Sequence, residues 1–61
     1  MANLTTKELS GIEDQLNSEK NLVAKFNLYA SVTNDAELQS KFRGIAAKHQ
    51  THFDKLYSLL G

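Results

Sequence analysis

Apolar residues recur in steps of three and four along most of this chain. In the first half they are Leu9, Ile12, Leu16, Val23, Phe26 and Ala30, and in the second Leu38, Phe42, Ile45, Leu56 and Leu59. That spacing keeps one face of an α-helix apolar, so the pattern predicts two amphipathic helices. The start of the first is well marked. Thr5 is placed as an N-cap, Glu8 stands three residues later to close a capping box, and Leu4 and Leu9 flank that turn as a hydrophobic staple would require. The first helix is expected over about 6–32.

Thr33-Asn34-Asp35-Ala36-Glu37 is the one interior cluster of turn and capping residues. Asn34 or Asp35 is the candidate second N-cap, followed by acids where the helix dipole favours them, and the second helix is expected over about 35–60. Helices of this length span about 40 Å, and so short a turn forces them antiparallel. The expected fold is therefore all-α, a single hairpin domain over 1–61. Leu22 and Tyr29 on the first helix, with Ala46, Phe53 and Leu60 on the second, widen each apolar stripe beyond a two-stranded seam. Two helices cannot bury such stripes, and pairing of two hairpins into a four-helix bundle is the expected remedy. Glycine in a helix interior costs about 1 kcal/mol relative to alanine. Gly44, beside Ile45, is expected to permit a close helix approach, whereas Gly11 has no evident reason.

Size sharpens the case for a homodimer. A compact monomer of 61 residues buries only about 60% of its unfolded surface. With no cysteine to cross-link the chain, self-association is the remaining route to stability. Seven basic and seven acidic residues balance, so no basic stripe invites nucleic acid or an anionic membrane. No apolar run approaches the roughly 20 residues of a membrane span. The N-terminus lacks the layout of a signal peptide, and a soluble chain not secreted by a standard route is expected.

Three ionisable residues break the apolar pattern: Glu19 on the first helix and His49 and His52 on the second. Glu19 and His49 are equidistant from position 34 and should meet at one height, with His52 less than a turn away on the same helical face. A carboxylate buried in a bundle must be paired, hydrogen-bonded or metal-bound. The pattern therefore has three readings. One is a polar layer that fixes register. A second is a metal site whose imidazole and carboxylate ligands suit Zn, Fe or Mn. The third is partial exposure, in which the three residues reach solvent. An imidazole held charged by Glu19 predicts stability that fades as pH rises, and one buried neutral predicts loss of stability in acid.

Other chemistry finds little support. Tyr29 and Tyr57 flank apolar stripes and read as packing residues. The serines have no triad partner, because both histidines lie together on the inner face. Lys41, Arg43, Lys48 and Lys55 read as a solvated face, and no glycine-rich phosphate loop is present.

Ser18-Glu19-Lys20-Asn21-Leu22-Val23-Ala24-Lys25-Phe26-Asn27-Leu28-Tyr29-Ala30 resembles the first long helix of ferritin-like proteins, rubrerythrins included, where a ligand Glu precedes two aromatics and an Ala. Ile45-Ala46-Ala47-Lys48-His49-Gln50-Thr51-His52-Phe53 is similar to their Glu-x-x-His helix. The likeness spans nearly the whole chain but only half of a normal four-helix domain, and it is greatest to the small spore coat proteins of the coat F type. It implies that Glu19 stands for the helix-1 ligand and His52 for the histidine of the pair. His49 departs, standing where the family has a bridging carboxylate, and without that carboxylate oxygen-activating di-iron chemistry is not expected. The resemblance implies a non-enzymatic assembly protein, made in the cytoplasm and placed in the spore coat, with other coat proteins as partners. It implies no resident cofactor, a single Zn, Fe or Mn ion at Glu19, His49 and His52 being the alternative.

Overall fold

The computed structural model describes residues 3–61. Two helices, α1 (Thr6–Val32) and α2 (Ala36–Ser58), pack against each other along their length. The start of α1 follows from the capping box. The Thr5 hydroxyl accepts the Glu8 backbone N–H at 3.1 Å, and the Glu8 carboxylate accepts the Thr5 N–H at 3.0 Å, so two of the unpaired donors of the first turn are satisfied. At the other end Thr33 leaves helical geometry, with ψ 143°.

Of the two candidate caps for α2, Asp35 takes the role. Its carboxylate accepts the N–H groups of Glu37 and Leu38 at 2.9 and 3.0 Å, and its own N–H donates to the Thr33 hydroxyl at 3.2 Å. The reversal is thereby hydrogen-bonded at both of its ends. The second helix begins one residue later than expected because Asp35, as the cap, keeps extended backbone geometry. It ends two residues earlier, where Leu59 and Leu60 donate to the carbonyls of Leu56 and Tyr57, three residues back, and form a tight final turn.

The seam between the helices is legible from burial. On α1 the least exposed residues are Ile12, Leu16, Glu19, Val23, Phe26 and Ala30, with Leu22 beside them. These are the expected positions. On α2 they are Gln39, Phe42, Ala46, His49, Phe53 and Leu56, with Ile45 beside them. Here the expected seam holds at Phe42, His49 and Leu56 but shifts by one residue in between. Gln39, Ala46 and Phe53 face α1, whereas Leu38, Ile45, His52 and Leu59 stand on a flank. Both sets satisfy steps of three and four with the shared column, so periodicity alone could not choose between them.

At the turn end, the Gln39 side chain donates to the Ala30 carbonyl across the hairpin at 2.9 Å, and Ala30 is fully buried beneath it. Phe26, Tyr29 and Phe42 form an aromatic cluster, with Phe26 and Tyr29 edge to face at 5.6 Å. Neither Gly11 nor Gly44 mediates a close approach within the hairpin, since a Cβ added at either would meet no neighbouring atom within 4 Å. This corrects the expectation for Gly44, which points away from α1.

The hairpin is elongated, 46 × 15 × 10 Å, with a radius of gyration of 14.3 Å. A compact globule of this length would have a radius of about 10.5 Å. Among the described residues only Leu16, Ala30, Ala46 and Glu19 are buried.

Candidate functional site

Among the described residues the one buried charged residue sits near the middle of α1. Glu19, 6% exposed, follows Leu16 by one step of the seam and meets His49 of α2 as the equidistance from position 34 requires. Nδ1 of His49 lies 2.6 Å from Glu19 Oε2. An ionised carboxylate offers only acceptors, so Nδ1 carries the hydrogen in this contact. Nδ1 of His52 lies 3.7 Å from the other carboxylate oxygen, within ion-pair range and beyond a hydrogen bond. The two imidazoles stand edge to face at 5.5 Å.

Two contributors were not evident in the sequence. Gln15, one turn before Glu19, donates its amide to Glu19 Oε1 at 3.2 Å. Phe26 lies parallel to the His49 ring at 6.3 Å, walling the site on the side of the turn. The spacing of Gln15 four residues ahead of a seam carboxylate was the available signal. Nothing in the spacing pointed to the ring of Phe26.

The electrostatic balance at Glu19 has opposing parts. Burial pushes its carboxyl group up. Hydrogen bonds from His49 and Gln15 and the charges of the two imidazoles oppose this, and the net result lies below the ordinary carboxylate value of 4.5. The site therefore holds an anion against two imidazoles. His49 is largely enclosed, whereas the His52 side chain is 55% exposed. That exposure departs from the expectation of three seam residues, because His52 belongs to the flanking column. It stands at the edge of the cluster and opens it to one side.

The donor set is compatible with a metal ion. One ligand atom from each of Glu19, His49 and His52 lies within 4.8 Å of the others, and donors at about 2.0–2.2 Å from a tetrahedral ion stand about 3.4 Å apart, so the most widely separated pair would draw in by about 1 Å on binding. Two imidazoles and a carboxylate suit Zn and leave a fourth position open. Binding through His49 Nδ1 would displace the hydrogen that His49 shares with Glu19, so at that atom metal and proton would compete for the same lone pair.

On the opposite side of the seam a groove of about 360 Å³ is lined by Lys20, Val23, Ala24, Gln50 and Phe53. No described helix is long and apolar enough to cross a membrane. Comparison with protein-family models, with curated proteins and with solved structures finds no match to this chain.

Proposed function

We propose that this chain is a non-enzymatic assembly protein, a ferritin-like homodimeric four-helix bundle that serves as a structural component of the spore coat, of the coat F type. The observation that carries the reading is the placement of the polar cluster. A charged layer occupies the middle of a hairpin whose apolar residues remain mostly half exposed, the arrangement expected of a bundle half that sets its register with a central polar layer. Support for the coat role comes from the residues around Glu19 and His52 that resemble coat F proteins.

Analytical ultracentrifugation of the purified chain at micromolar concentration is expected to give a dimer, and a well-folded monomer would overturn the assembly reading. Immunoblotting of the coat fraction of purified spores tests the coat placement, which absence from that fraction removes.

A second reading has a specific observation behind it, the convergence of Glu19, His49 and His52 on one point. In that reading the protein is a ferritin-like metal binder with Zn, Fe or Mn held by these three residues. Elemental analysis together with thermal melts with and without chelator decides the matter. The metal reading predicts a bound ion and a lower melting temperature in chelator, and it fails if neither is found.

A further inference from the structure

The hairpin has two flanks, and they differ in chemistry. In an antiparallel helix pair, the residues that immediately precede seam positions such as Leu16, Val23, Ala46 and Phe53 line one flank, and those that follow Glu19 and His49 line the other. The second flank carries Lys20, Asn27, Arg43 and Gln50, with Tyr57 its one large aromatic side chain. The first carries Leu22, Tyr29, Leu38, Ile45 and Leu59, interrupted by Gln15 and His52, and it is where the displaced column of α2 stands. We propose that a second copy of this chain docks on the flank formed by Leu22 and Tyr29 of α1 with Leu38, Ile45 and Leu59 of α2, and that it closes over His52. The proposal rests on the homodimer reading and assigns it a face.

The area fits. By the scaling of surface with mass, a compact monomer of 6.8 kDa exposes about 4,000 Å². This chain exposes 4667 Å², an excess of roughly 700 Å². The broad face of the hairpin measures 46 by 15 Å, or about 700 Å² per copy and about 1,400 Å² for a pair, inside the range of specific stable interfaces.

Three of the five residues on this face stay exposed in the hairpin, with Leu22 and Ile45 half-buried beside them. Leu38 is 43% exposed, Leu59 46% and Tyr29 37%. The occupant is a second copy because of the polar cluster's position. Gln15 and His52 interrupt the apolar flank near the middle of the two helices, where an unrelated apolar helix would cover them with hydrocarbon. A two-fold-related copy brings its own central polar layer to the same height. The face carries no lysine or arginine among these residues, and the chain is formally neutral, so no partner of opposite charge is called for.

The chain has no cysteine, which permits a direct test. Ile45→Cys and Gln50→Cys place a single thiol on the two flanks in turn, and each variant is treated with a short bis-maleimide. Ile45→Cys is expected to give a covalent dimer and Gln50→Cys to remain monomeric on denaturing gels. In parallel, sedimentation should show that Leu38→Lys/Leu59→Lys weakens the dimer at least about tenfold. Leu28→Lys/Val32→Lys, which removes two more exposed apolar side chains from elsewhere on α1, should weaken it less than about twofold. A wild-type dimer that cross-links through position 50 and not 45, or the reverse order of the lysine variants, overturns the assigned face and leaves the homodimer standing. A wild-type monomer overturns both.

Discussion

At Glu19 burial and hydrogen bonding oppose each other, and hydrogen bonding prevails. Because the folded carboxyl titrates below its ordinary value of 4.5, the ionised form is the one the fold favours. Its contribution is fully present above that ordinary value and is lost as pH falls through the depressed one. Glu8 adds to the same acid limb. Its carboxyl is lowered chiefly by the Thr5 backbone N–H and further by the Thr5 hydroxyl. Melting temperature should therefore fall between about pH 5 and pH 3, and the fall should be smaller in Glu19→Gln. Melts of the two proteins across that range check this, and equal acid limbs would show that Glu19 contributes nothing. That Glu19 needs a partner, and that His49 stands at its height, was legible in the sequence from the equidistance of the two from the turn, whereas the choice of His49 over His52 was not. The contacts from Gln15 and Phe26 were not, because they depend on which rotamers pack around the acid.

At the scale of elements, the caps and the turn were the most legible parts of the chain. A capping box and an acidic N-cap have few alternative readings, and both helices begin within one residue of their expected starts. The seam of α2 was less legible for a definite reason. Two columns, Leu38-Ile45-His52-Leu59 and Gln39-Ala46-Phe53-Leu60, each alternate correctly with Phe42, His49 and Leu56. The more hydrophobic one reads as the core, but small Ala46 suits the close approach of α1 better than Ile45 does. Gly44 reads differently once the helices are in place. With open space where its Cβ would lie, Gly44→Ala should stabilise the chain by about 1 kcal/mol, seen as a melting temperature higher by about 4–8 °C. A lower one would mean that the space is filled by another molecule.

For the whole molecule the governing fact is the mismatch between apolar surface and available cover. A side chain such as Leu38 or Leu59, covered on assembly, contributes on the order of 1 kcal/mol. On the homodimer reading, folding and association are accordingly linked, and the melting temperature should rise with protein concentration. Calorimetry over a hundredfold dilution checks this, and a constant midpoint would count against the dimer. The column shared by both possible seams then takes on a further meaning. Phe42, His49 and Leu56 lie between the surface that folds the hairpin and the flank that stays open, so on the homodimer reading each would serve two contacts with one side chain. Substitutions there should combine non-additively with changes on either neighbouring column, whereas Ala46 and Leu38, on separate columns, should vary almost independently.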